Sequence, residues 1–160
     1  LIKALSPKVC AAIDQMMAKY PPEQRQAAIL SALMLMQKQN HGWLSTEIMD
    51  QVADYIGMPK IAVYEVASFY SLFELKPVGK HKICVCTNIS CMLRGSDQIV
   101  DHLKSKLKIN LGETTVDGRF TVKSVECLAA CGGAPMMQIG DIYYENLTPA
   151  KLDTILDGLE

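Results

Sequence analysis

Five of the six cysteines in this 160-residue chain fall between positions 84 and 131. Four of them form two pairs. Cys86-x4-Cys91 is followed by thirty-five residues and then by Cys127-x3-Cys131. Thiolates are soft ligands, and four that converge suit a soft metal or an iron–sulfur cluster. A [2Fe-2S] centre takes two thiolates per iron, and a spacer of three or four residues lets one pair reach one iron. The loop residues fit that demand. In Leu128-Ala129-Ala130 and Gly132-Gly133-Ala134 only the leucine is large, so backbone N–H groups can approach the sulfurs and tune a cluster's potential. The glycines are expected to supply positive φ where the loop wraps.

Three other uses of the same thiols stand beside this one. Zinc accepts four cysteines, but its usual knuckles are C-x2-C and neither pair has that spacing. Disulfides belong to oxidising compartments, and six cysteines in 160 residues are too sparse for a disulfide scaffold. A thiol–disulfide oxidoreductase would want C-x-x-C at a helix start, which is absent. Incidental burial is the last alternative. Cys84 would share a strand face with Cys86 and reads as core. Cys10 lies in the first helical segment and reads as packing. His41, His81 and His102 show no Cys-x-His pairing, which argues against a Rieske centre.

The elements that must position these cysteines come in two segments. Residues 1–75 read as a helical bundle. Ser6-Pro7 caps a first helix with Val9, Ile13, Met16 and Met17 at helical spacing. Pro21-Pro22 end it and start a second, with Ala27, Ile29, Leu30, Leu33, Met34 and Met36, that stops near Asn40-His41-Gly42. Ser45 or Thr46 caps a third, with Ile48, Met49, Val52 and Ile56 inward, closed by Gly57 and Pro59. A fourth covers about 60–69. Residues 76–81 read as a linker.

Residues 82–160 alternate strand and helix. Residues 82–87 and 120–125 read as strands, 96–107 as a helix, and 136–139 and 142–144 as two strands joined at Gly140-Asp141. Thr148-Pro149 caps a last helix with Leu152, Ile155, Leu156 and Leu159. The order β-α-β-β-β-α suits a small α/β sandwich behind the bundle, an α+β chain as a whole. Both cysteine pairs then lie where a strand ends and a loop begins, so two loops can project at one sheet edge.

Composition closes off other classes. Sixteen Lys+Arg against seventeen Asp+Glu leave a formal charge of −1, without the basic excess of a phosphate-tracking nucleic-acid binder. Residues 44–70 have the outline of a helix-turn-helix with Gly57 in the turn, but residues 41–75 carry Lys60 alone against Glu47, Asp50, Asp54, Glu65 and Glu74, and would repel phosphate. No apolar run approaches the roughly 18 residues of a membrane span; the longest, 27–36, is broken by Ser31. No signal peptide is visible, although the sequence starts at Leu1 and so leaves open a leader ahead of it. No G-x-G-x-x-G or Walker-type loop is present. Met136-Met137 and Met34/Met36 read as core filler rather than a cofactor box. Arg94 reads equally as a counter-charge for a thiolate cluster or as a solvated residue at a helix start, and one of Tyr143 and Tyr144 is expected in the core.

The strings V85-C-T-N-I-S-C-M-L-R-G-S96 and V125-E-C-L-A-A-C-G-G-A-P-M-M-Q-I139, with A67-S-F-Y-S-L-F73 and Y143-Y-E-N-L147, resemble the thioredoxin-like [2Fe-2S] subunit of NADH:quinone oxidoreductase, respiratory complex I. The resemblance covers nearly the whole chain. It implies an N-terminal helical bundle and a thioredoxin-like C-terminal [2Fe-2S] ferredoxin domain, with one cluster held by Cys86, Cys91, Cys127 and Cys131. It implies an electron-transfer subunit whose cluster exchanges one electron with the FMN of a neighbouring NADH-oxidising subunit, within the hydrophilic arm. FMN and NADH are expected on that partner, and no complete active site on this chain. The implied location is cytoplasmic, peripheral on the inner face of the respiratory membrane, or the mitochondrial matrix. Related subunits serve NAD-linked hydrogenases and formate dehydrogenases. A zinc-stapled interaction module is the alternative from a different class. One departure is visible: the family often has Gly where this chain has Ala129, and a bulkier pair where it has Gly132-Gly133.

Overall fold

The computed structural model describes residues 5–159. The chain divides into two compact units, Leu1–Pro77 and Val78–Glu160, each with its own core.

The first unit is helical. Helices α1 (Pro7–Met17), α2 (Ile29–Gln39), α3 (Thr46–Ile56) and α4 (Lys60–Phe69) each carry an apolar stripe. Val9, Ile13, Ala32, Leu33, Met36, Ile48, Val52, Val63 and Ala67 meet in one core. The caps are local. Ser6 Oγ accepts from Val9 N–H at 3.4 Å with Pro7 at the first helical position, and Ser45 Oγ accepts from Ile48 N–H at 3.3 Å. Each satisfies an N–H left over at a helix start, which stabilises by about 1 kcal/mol. Gly57 ends α3 at φ 78°, a left-handed conformation that glycine reaches without a Cβ penalty. The second helix begins later than its proline suggests. Pro22–Ala28 is a 3-10 stretch, because Glu23, Gln24, Arg25 and Gln26 offer no apolar side chain to bury and all are exposed. Met34 points outward at 54% exposure.

The second unit is a four-stranded mixed sheet among the described residues, in the order β2-β1-β3-β4. Strand β1 (His81–Cys86) is followed by a short helix α5 (Ile89–Leu93), by α6 (Ser96–Leu107) and by β2 (Phe120–Val125). Then come β3 (Met137–Ile139), β4 (Ile142–Tyr144) and α7 (Pro149–Asp157). Strands β1 and β2 are parallel, in register from His81↔Phe120 to Cys86↔Val125. Strand β3 runs antiparallel to β1, and β4 antiparallel to β3 across a turn with Gly140 at φ 59°. Ile83 and Val85 are fully buried with Ile99, Leu103, Leu152 and Leu156 of α6 and α7. Each such side chain stabilises the fold by roughly 1.5–3 kcal/mol relative to exposure. Thr148 caps α7 by accepting from Lys151 N–H at 3.2 Å, with Pro149 at the first position.

The segment expected as a linker is partly built into this sheet unit. Gly79 N–H donates to Thr121 Oγ1 at 2.7 Å, Lys80 N–H to Gly118 O at 3.0 Å, and His81 opens β1. The architecture is α+β, a helical bundle followed in the chain by a mixed sheet with its helices. No helix among the described residues is long and apolar enough to cross a membrane.

Candidate metal centre

The register sets where the cysteines go. Because β1 and β2 are parallel and Cys86 pairs with Val125, both strands release their chains at the same end of the sheet. Cys86 is the last residue of β1, and Cys127 lies two residues beyond β2. Antiparallel β3 enters from that same end, and Cys86 N–H donates to Met136 O at 3.2 Å. Three stretches, 86–91, 127–131 and 134–136, therefore converge.

Cys91 sits in α5, a five-residue helix not anticipated from the sequence. Asn88 caps it by accepting from Ile89 N–H at 2.8 Å. An Asn two residues after the first cysteine is the sequence signal for it. Cys131 opens a one-turn 3-10 helix, Cys131–Gly133. Cys86 and Cys91 are buried, whereas Cys127 and Cys131 are exposed. A small cluster of its own holds Cys86, Cys91, Ala134 and Met136, with Leu128 and Ala130 against it. Of the two methionines, Met137 belongs to the main core and Met136 lies at the cysteines.

The sulfurs interact across the two pairs. Cys86 lies close enough to Cys91 and Cys127, and Cys131 to Cys91, for each to act on the other's ionisation. Burial pushes the Cys86 thiol up, but the N–H groups of Asn88 and Leu128 and the S–H groups of Cys91 and Cys127 pull it below the ordinary cysteine value. Burial also pushes Cys91 up to about 11, helped by its bond to Cys86 and the charge there and opposed by the Met136 N–H. The two thiols of this pair are thus pushed in opposite directions, and ionising both is disfavoured because like charges in a partly desolvated site repel. The Cys86 S–H reaches Glu126 O at 3.9 Å, and Ala129 N–H donates to Cys127 Sγ at 3.2 Å.

The donor set is soft thiols ringed by backbone N–H groups, which fits an iron–sulfur cluster, where such bonds offset the charge on sulfur. No three of the described His, Cys, Asp and Glu side chains gather around a single ion position. A two-iron cluster asks for two thiolates per iron rather than four on one point.

The glycines depart from expectation, while Tyr144 and Cys10 fall where the sequence put them. Gly132 and Gly133 do not adopt positive φ; Ala129 does, at 57°. Gly133 is there for a close approach instead, because Glu145 packs where its Cβ would be. Arg94 is exposed at the C-cap of α5. Tyr144 packs on the main core, while Tyr143 is half-exposed and its hydroxyl donates to Leu128 O at 3.0 Å. That brace from β4 to the Cys127 loop was not visible as a site feature in the sequence. No disulfide joins the six cysteines, and Cys10 lies in α1 of the other unit.

The family model for the thioredoxin-like [2Fe-2S] ferredoxin matches residues 13–160. The chain belongs to this family. The relatives of this ferredoxin are consistent in kind. It is 49% identical over 91% of its length to a protein of Rickettsia bellii named as a subunit of NADH-quinone oxidoreductase, 87% of which is covered. It is 47% identical over 92% of its length to a Dictyostelium discoideum protein, the NADH dehydrogenase [ubiquinone] flavoprotein 2, mitochondrial, 60% of which is covered. The fold matches that in an NAD+-reducing [NiFe]-hydrogenase in its H2-reduced state, with TM-score 0.71 and 22% identity over 82% of this chain. The chain spans 22% of that hydrogenase chain.

Proposed function

We propose that this chain is an electron-transfer subunit of an NADH:quinone oxidoreductase, carrying one [2Fe-2S] cluster on Cys86, Cys91, Cys127 and Cys131. The observation that carries the reading is the convergence at one sheet edge. Two cysteine pairs from two loops meet there, Cys86 and Cys91 buried together and the Ala129 N–H turned toward the Cys127 sulfur. The identity to proteins named as subunits of NADH-quinone oxidoreductase, over nine-tenths of this chain, supports the parent complex.

When bound, the cluster supplies one-electron redox chemistry. The protein's residues do the rest. Burial of Cys86 and Cys91 keeps water from one side of the site. The N–H donors hold sulfur charge without bringing a proton that could be lost. Exposure of Cys127 and Cys131 leaves the other side at the surface, where an electron can cross to a partner. Ile89, Met92 and Leu93 of α5 are exposed beside Cys91 and offer apolar surface to a neighbouring subunit. That neighbour is the FMN- and NADH-binding subunit, with other hydrophilic-arm subunits beyond it. The complex would be cytoplasmic and peripheral on the inner face of the membrane, or in the mitochondrial matrix.

The test is metal analysis with EPR on protein purified without oxygen and reduced with dithionite. About two irons per chain, matching acid-labile sulfide and a signal from the reduced cluster are expected. Bound zinc with no iron and no signal would replace the reading by a structural, redox-silent module.

A further inference from the structure

Ala129 is an alanine in a conformation that alanine disfavours. Its φ is 57°, where a Cβ crowds the backbone and glycine, Asn or Asp is the usual occupant. The loop holds it there with a visible consequence. The N–H of Ala129 points at Cys127 Sγ at 3.2 Å. Successive N–H groups in a turn with a left-handed residue form a nest, a concavity that binds anions and recurs at iron–sulfur sites. This nest holds the sulfur of Cys127. Its outer wall is fixed by Tyr143, whose hydroxyl binds Leu128 O at 3.0 Å. The alanine methyl itself is exposed, so substitutions at 129 act through the backbone and not by displacing a packed neighbour.

We infer that Ala129 is a positioning residue for the cluster's redox potential: its left-handed backbone closes the Leu128–Ala129 nest over the sulfur of Cys127. The inference rests on the proposed cluster. Hydrogen bonds to sulfur stabilise the reduced, more negative state and raise the potential. A residue that keeps the left-handed turn keeps the bond and the potential. A β-branched residue, a steric outlier at positive φ, opens the turn and loses both.

The experiment uses the holo-protein in three forms: native, Ala129→Gly and Ala129→Val. Redox titration followed by EPR should give Ala129→Gly the native midpoint with a higher melting temperature. Ala129→Val should hold its iron and titrate at a lower potential. A tenfold shift in the one-electron equilibrium would be 59 mV. Pulsed EPR adds a reading that does not depend on the valine variant loading its cluster. With only alanine nitrogen labelled as 15N, the native spectrum should carry one nitrogen coupling that Ala129→Gly lacks, while any coupling from Ala130 and Ala134 stays in both. A native cluster without that Ala129 coupling, or an iron-loaded Ala129→Val at the native potential, overturns the inference and leaves the cluster assignment standing. A native protein without iron overturns the cluster reading and the inference together.

Discussion

Glu145 packs where a Cβ on Gly133 would stand. A methyl group there would lie 2.6 Å from Glu145 Cβ, closer than side-chain carbons approach. The next residue, Asn146, donates its N–H to Gly133 O at 2.6 Å, so the turn after Cys131 is locked to the end of β4 from both sides. Gly133→Ala should therefore destabilise the second unit by about 1–3 kcal/mol, the usual cost of overpacking. Gly132 is the control. Nothing lies within 4 Å of a Cβ built there and its φ is not left-handed, so Gly132→Ala should stay within about 0.5 kcal/mol of native. Denaturant titration of the two variants checks the difference, and equal effects would contradict the geometry.

Gly79 makes a different kind of close approach. A Cβ there would meet backbone, 2.8 Å from Phe120 C and 2.9 Å from Phe120 N. Backbone inside a parallel strand pair cannot swing away as a side chain can. The contact also carries a buried hydrogen bond from Gly79 N–H to Thr121 Oγ1. We expect Gly79→Ala to cost about 2 kcal/mol or more, read as a lower urea midpoint at unchanged slope.

In the helical unit, Asp50 accepts from the Tyr64 hydroxyl and from Lys60 Nζ, the latter at 3.0 Å. The Tyr64 hydroxyl first, and then Lys60, lower the Asp50 carboxyl, while the carboxylate raises both Lys60 and Tyr64. The signs define a window. A depressed acid contributes stability that is complete above its unfolded value, about pH 4, and is lost as pH falls through the folded value. Raised Lys and Tyr groups contribute fully below about pH 10 and lose it as pH rises through their folded values. The melting-temperature gap between native and Asp50→Asn should thus be constant from about pH 5 to 9 and close below about pH 4. A gap that persists at pH 2 would mean Asp50 matters through packing and not charge.

What the sequence showed of the fold was what local chemistry encodes. Ser6-Pro7, Ser45, Gly57 and Thr148-Pro149 mark helix ends because their caps bind within four residues. The alternation at 120–125 and the Gly140-Asp141 turn mark strands for the same reason. What it hid depends on distant partners. Residues 22–28 tighten to 3-10 geometry, where Ala28 alone is buried and too little core face exists to reward an α-helix. Helix α5 is too short for periodicity to register. The site followed the same divide. The cysteine spacing was visible, whereas the left-handed residue fell on Ala129 and not on the glycines, because the turn is shaped by the Cys127 sulfur and by Tyr143 from another strand.

The proposed ligand set makes the last prediction. Cys→Ala at position 86, 91, 127 or 131 leaves three thiolates for two irons, and each variant should lose the cluster or its native spectrum. The two pairs should fail differently in the fold. Cys86 and Cys91 are buried against Met136 and Ala134, so alanine there also removes packed sulfur and should lower stability by about 1 kcal/mol. Cys127 and Cys131 are exposed, so alanine there should cost little beyond the stabilisation lost with the cluster itself. Cys10 belongs to α1 in the other unit, and Cys10→Ala should keep iron, sulfide and spectrum. Visible absorption and iron content of the five variants, measured beside their melting curves, separate the ligand role from the packing role. A full native spectrum in Cys127→Ala would remove that residue from the ligand set.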